Sequence, residues 1–165
     1  MAAGVCYGAA DVPLDLVAFD ARCAELHEQL PRSVQLIASP LSRCARLAAT
    51  LAAQSPARTL AFDTRLAEMN FGRWERTPWD DVPRSELDAW AADFWHYAGH
   101  GGESVQLLRE RVLAAWQTHR NAPAPVVLIT HAGPMQVIHA HLHGHDLAVQ
   151  KRKKIEYGEV LQIQI

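Results

Sequence analysis

The stretch that decides the fold is Val126-Val127-Leu128-Ile129-Thr130-His131-Ala132-Gly133. A short apolar run rich in β-branched residues reads as a buried strand. The run stops at His131, and Gly133-Pro134 then opens a helical pattern carrying Met135, Val137 and Ile138. In an open α/β sheet, ligands bind just beyond the carboxyl ends of the strands. A helix that starts there offers free N–H groups and the positive end of its dipole to an anion. From this segment alone, His131 reads equally well as part of a phosphate corner or as an ordinary histidine in a strand-to-helix turn.

Outward from that point, the pattern alternates. An apolar stripe at Val17, Ala21, Ala24 and Leu30 predicts a helix starting near Asp15 or Leu16 and ended by Pro31. Val34 to Ala38 reads as a short buried strand. Leu41 to Gln54 reads as an alanine-rich helix, stopped before Pro56. Leu60 to Phe62 is a weak strand. Residues 63 to 84 form an irregular passage whose aromatic residues argue against disorder. Two helical patterns follow, Ser85 to Tyr97 and Glu103 to Arg120, the second with Val105, Leu108, Val112 and Trp116 on one face. After the 126–130 strand come a helix over 134–142 and a closing strand near Val160 to Ile165. Strands alternating with helices predict an α/β fold, a sheet with helices on both faces. The chain nevertheless opens with a loop broken by Gly4, Gly8, Asp11 and Pro13, where this pattern usually opens with a strand.

The totals narrow the function classes. A chain of 165 residues suits one domain with a real core. Its 49% hydrophobic and 21% charged residues describe an ordinary globular protein. A formal charge of -2 gives no reason to expect nucleic acid or an acidic membrane as partner. Cys6, Cys23 and Cys44 are odd in number and in no metal-like spacing, which fits a reducing cytoplasm. No apolar run approaches the roughly 20 residues of a membrane span, and the start lacks the pattern of a signal peptide.

Three segments at strand ends carry reactive side chains. In Ser39-Pro40-Leu41-Ser42-Arg43, Arg43 falls in a first helical turn and offers a fork of donors suited to phosphate oxygens. In the passage from Arg65 to Glu75, a carboxyl packed among Leu66, Met69, Phe71 and Trp74 would be partly desolvated. Desolvation raises its pKa and suits it to donate a proton near neutral pH. A solvated loop glutamate is the commoner fate. The third segment is Thr130 to Gly133. Each is weak alone; their joint occurrence in this order is much stronger.

Together these segments resemble the histidine phosphatase superfamily, which includes cofactor-dependent phosphoglycerate mutases. Ser39-Pro40-Leu41-Ser42-Arg43 resembles its Ser-Pro-Leu-x-Arg element. Leu66-x-Glu68 with Phe71-Gly72-x-Trp74-Glu75 resembles its acid loop, Gly101-Gly102-Glu103-Ser104 a turn, and His131-Ala132-Gly133 its second histidine motif. The resemblance covers essentially the whole chain. Gly4 to Gly8 with Asp11-Val12-Pro13-Leu14, and Trp79-Asp80-Asp81-Val82-Pro83, look most like alpha-ribazole phosphatases. Arg76 departs from the pattern, since Gly commonly follows the glutamate there.

The resemblance implies a three-layer phosphoglycerate mutase-like sheet and a single domain over 1–165. It implies a phosphomonoesterase that works through a phosphohistidine, with no cofactor and no metal. Carried over by position, Arg43 binds phosphate, Glu68 protonates the leaving alcohol and His131 is the second histidine. Tyr7, Gly8 and Ala132 contact the substrate. The expected partner is a small phosphorylated metabolite, with a homodimer left open. Alpha-ribazole 5′-phosphate is the favoured substrate, hence a place in cobalamin biosynthesis.

One departure bears on all of this. The family's attacking histidine lies in an Arg-His-Gly or Arg-His-Pro element ending a first strand, upstream of the segment matching Gly4 to Leu14. His27 is no substitute, lying in the first helix. The expectation is therefore a domain truncated at its amino end, without the nucleophile and the first strand. Three explanations compete: a start codon chosen too late, a non-catalytic phosphate-binding relative, or a strand supplied by another chain. A general sugar-phosphate phosphatase is a further alternative, and a mutase is less expected for want of room for its insertions. His139, His141, His143 and His145 read as a solvated helix end rather than a metal site. Lys151 to Lys154 reads as a solvated basic loop, or as a rim that attracts anions.

Overall fold

The computed structural model describes residues 4–148 and 155–163. Three parallel strands, β1 (Val34–Ala38), β2 (Arg58–Phe62) and β3 (Val126–Ile129), make a sheet in the order β2-β1-β3. The register pairs Ala38 with both Phe62 and Ile129, so the carboxyl ends of the strands are level. Ser39, Asp63 and Thr130 thus leave the sheet at one edge.

Side-chain alternation along β1 divides the core into two faces. Val34, Leu36 and Ala38, with Ile129, meet Leu26 of α1 (Leu16–Gln29) and Cys44, Ala48 and Leu51 of α2 (Ser42–Ala53). Ile37 turns the other way, onto Leu66 and onto Ala115 of α4 (Val105–His119), with Val126 and Leu128 packed alongside. On that side Val137 and Ile138 of α5 (Ala132–His143) pack with Leu108, Val112 and Trp116. Helices therefore cover both faces of the sheet, as the alternation predicts.

Local chemistry sets the helix starts. The Asp15 carboxylate accepts the N–H groups of Val17 and Ala18, both at 3.1 Å, which caps α1. Ser104 accepts the Leu107 N–H at 3.3 Å and caps α4. Between Asp63 and Gly102 the chain makes three short 3-10 turns and one helix, α3 (Arg84–Ala92). Here Trp74 anchors an aromatic cluster. It stacks on Tyr97 at 5.8 Å and lies 4.8 Å from His100, while Trp79 stacks on Trp90 at 6.3 Å.

Three expectations need correction. β2 starts at Arg58 rather than Leu60, because the buried Arg58 side chain donates to the carbonyls of Leu51 and Pro31. α3 ends at Ala92, well before Tyr97. Asp93 leaves the helical region and its carboxylate accepts the His96 N–H, a local turn that competes with helix. No strand forms over residues 160–163, where Val160 and Ile163 are exposed and bury too little to hold one. Residues 164–165 and the basic run at Lys151 to Lys154 lie outside the described residues.

Candidate active site

Arg43 sits in the first turn of α2, because Ser39-Pro40-Leu41 carries the chain from the end of β1 into that helix. His131 is the N-cap of α5, one residue beyond Thr130 at the end of β3. The level strand ends bring the two together: Arg43 Nε donates to His131 Nδ1 at 3.0 Å. The remaining Arg43 bonds go to main-chain carbonyls, Nη1 to Ala10 at 3.1 Å and Nη2 to Gly8 at 2.6 Å. The Tyr7 ring lies 5.8 Å from the guanidinium carbon, within cation–π range.

The Arg43 contact decides the state of His131. A guanidinium only donates, so Nδ1 must be the acceptor and the proton sits on Nε2. That Nε2–H faces Ser39 Oγ at 2.8 Å. Burial, with the charges of Arg43 and Arg111, pushes the His131 pKa down to about 3, so the ring is neutral. The Ser39–His131 pair has the spacing of a nucleophile and its base. The tautomer forbids that role, since an Nε2 that carries a proton cannot take the serine's. Cys44 is excluded on similar grounds. Its Sγ contacts the Thr130 carbonyl at 3.2 Å, and burial pushes the thiol up to about 12.

Glu68 meets α5 at its N-terminus. Its Oε2 accepts the Gly133 N–H at 3.1 Å and its Oε1 the Met69 N–H at 2.9 Å. The anion at this helix end is thus the protein's own carboxylate. Gly133 is required by that approach, since a Cβ there would overlap Glu68 Oε1. Desolvation raises the Glu68 pKa, against the lowering by the two N–H bonds and by Arg43 and Arg111. A carboxyl held above its ordinary range can donate a proton near neutral pH.

The sequence-predicted residues fall as follows. Arg43 and His131 touch, and Glu68 joins them through the first turn of α5. Ala132 opens that turn and is exposed. Tyr7 lies against Arg43. Gly8 is buried against the Met69 backbone, where a Cβ would overlap the Met69 carbonyl oxygen. Its N–H goes to Glu75, whose carboxylate also accepts from Ala9, Ala10 and Phe71. Glu75 is therefore the anchor of the 8–10 segment that holds Arg43. Ser39, Glu75 and Glu103 stood within the quoted motifs without a role assigned to them. Arg111 carried one faint signal, a charge beside the apolar stripe of α4.

Most of the other histidines are engaged elsewhere. His27 accepts from Arg58, His96 pairs with Asp93, and His119 with Asp63. His100 is enclosed by the aromatic cluster, and His139, His143 and His145 stack at the far end of α5. Among the described residues, no group of three or more histidine, cysteine or carboxylate side chains could hold a metal ion. No helix among them is long and apolar enough to cross a membrane.

The sequence profile of the histidine phosphatase superfamily (branch 1) matches residues 2–165. No curated protein matches by sequence. Among solved structures, the chain is similar to a phosphoglycerate mutase from Thermus thermophilus, with a TM-score of 0.63 and 28% identity. That match covers 82% of this chain and 72% of the other. The protein TTHB049 of the same organism gives a TM-score of 0.66 at 27% identity over 87% and 77%. A mycobacterial glucosyl-3-phosphoglycerate phosphatase gives 0.69 at 25% identity over 88% and 76%.

Proposed function

The chain belongs to the histidine phosphatase superfamily, and on that premise we propose that it is a phosphomonoesterase acting through a phosphohistidine on alpha-ribazole 5′-phosphate. The observation that carries the reaction class is the Arg43–His131 contact at 3.0 Å, with the Glu68 carboxylate on the Gly133 N–H of the helix that His131 caps. Similarity to a mutase and to a phosphatase supports chemistry on phosphate esters. The substrate rests on the Gly4–Leu14 and Trp79–Pro83 segments alone. Three free, buried cysteines support a reducing, cytoplasmic setting.

The phosphoryl group would take the Arg43 donors now given to Gly8 and Ala10, with His131 as a neutral donor beside it. An imidazole nitrogen attacks phosphorus, the P–O ester bond breaks, and Glu68 gives its proton to the departing alkoxide. Water then attacks the phosphohistidine and gives its proton to the Glu68 carboxylate. The P–N bond breaks and phosphate leaves. This needs a second imidazole beside Arg43, which the described residues do not bring there. The reading expects it on a strand beside β3, whose outer edge has no strand neighbour among those residues.

The test compares the 165-residue chain with one extended into the upstream reading frame, on alpha-ribazole 5′-phosphate and p-nitrophenyl phosphate. The extended chain should turn over and trap phosphohistidine. Equal turnover by both would overturn the nucleophile assignment. Phosphate binding without turnover in either would favour a non-catalytic relative, a reading supported by the lone imidazole at Arg43 among the described residues.

A further inference from the structure

Arg111 uses every N–H of its guanidinium on one task. Nε and Nη2 grip the Glu103 carboxylate in a two-point pair at 2.5 and 2.7 Å. Nη1 donates to the carbonyls of Arg65 at 2.8 Å and Ala67 at 2.7 Å, and Nη2 to that of Glu68 at 3.1 Å. Five donors meet five acceptors, the full capacity of the side chain. The three carbonyls fall within four residues, from the 3-10 turn Thr64–Leu66 into the loop that carries Glu68. Beyond Glu68 the same loop is held again, where the Glu103 N–H donates to the Asn70 carbonyl at 2.8 Å.

We propose that Arg111, oriented by Glu103, is the positioning residue that fixes Glu68 against the N-terminus of α5. It rests on the reading of Glu68 as proton donor, and deepens it. The fork geometry explains why an arginine is used. Lysine has three donors on a flexible stem, and could not hold three carbonyls and a carboxylate together. Both partners are mostly buried, at 22% and 15% side-chain exposure, so water competes little for these bonds. The charge of Arg111 also acts on Glu68 and on His131, tying the loop's placement to the site's electrostatics.

The test follows the amides of Met69 and Gly133, which hold the Glu68 carboxylate, by NMR of the 165-residue chain through a pH titration. In the wild type both should move with one midpoint, and Glu68→Gln should abolish that movement. In Arg111→Lys the amplitude at both amides should fall by about half or more as the carboxylate leaves them. Glu103→Gln should give an intermediate loss, and decides the matter if Arg111→Lys does not fold. Signals of Leu36 and Ile37 in β1 should stay in place. Unchanged midpoint and amplitude in the folded variants overturns the proposal. In any form that hydrolyses p-nitrophenyl phosphate, Arg111→Lys should lower kcat about tenfold or more, leave KM within about threefold, and shift the pH limb belonging to Glu68. Absence of turnover in every form would remove the phosphatase reading and leave the amide result standing.

Discussion

Around β1, the side chains of Leu36, Ala38, Ala48 and Leu51 are sealed by apolar contact, each at most 1% exposed. Apart from Leu66 and Met69, which reach the apolar core, the chain from Asp63 to Glu103 is held by stacked rings and by single side chains that bond to backbone. Arg111 holds three carbonyls there, and Glu75 four N–H groups across the loops. The first kind of order depends on volume and area, so many substitutions can keep it. The second depends on a few directed bonds, so one misplaced atom displaces the reactive group. Glu68, the carboxyl that most needs exact placement, lies in the second region.

The largest expected effects test this contrast directly. Trp74→Ala should cost about 3–5 kcal/mol and Leu36→Ala about 2–5 kcal/mol, read by chemical denaturation. The conservative exchanges should part ways. Leu36→Met should cost under about 1.5 kcal/mol. Trp74→Phe should cost more, since it also removes the indole N–H that Glu86 accepts at 2.6 Å. Equal costs for the two would dissolve the distinction.

Gly133→Ala comes next, with its effect on chemistry rather than stability. The added methyl occupies the place of Glu68 Oε1, so in a form of the protein that turns over, the rate should fall about 100-fold while stability stays within about 1 kcal/mol. A melting curve and a rate assay on the same sample separate the two.

How much was legible in the sequence follows the same division. β1, α1 and α2 were readable within a residue or two, because apolar periodicity and proline stops report burial and backbone limits directly. Arg43, His131 and Glu68 were readable as a set through their motifs at strand ends. The work of Glu75 and Arg111 was not, because a side chain bonding to carbonyls or amides distant in sequence leaves no periodic trace. The length of α3 was hidden for a similar reason: the Asp93 turn outweighs the propensity of the residues after it. The strand expected near Val160 is absent over 160–163 because apolar, β-branched residues define a strand only when something covers them.

Two smaller effects sharpen the account of the directed bonds. Hydrogen bonds from Arg65 and His119 hold the Asp63 carboxyl well below its ordinary range. A lowered folded pKa stabilises above the unfolded value near ~3.9, and that stability is lost as pH falls below it. Asp63→Asn should therefore shrink the stability difference between neutral and strongly acid pH by about 1 kcal/mol, seen in denaturation at each pH. Arg76 has a φ of 67°, a left-handed conformation costly for a residue with a Cβ. This is where the family pattern has Gly, and Arg76→Gly should stabilise the chain by about 0.5–1 kcal/mol in thermal melts.

The central claim is that Arg43 and His131 form one anion site at the level ends of β1 and β3. Calorimetric titration with orthophosphate tests it most directly, since it requires no turnover. The account predicts a single site in the wild type, weakened about tenfold or more in Arg43→Ala. Equal binding by the two proteins, or no binding by the wild type, would contradict it.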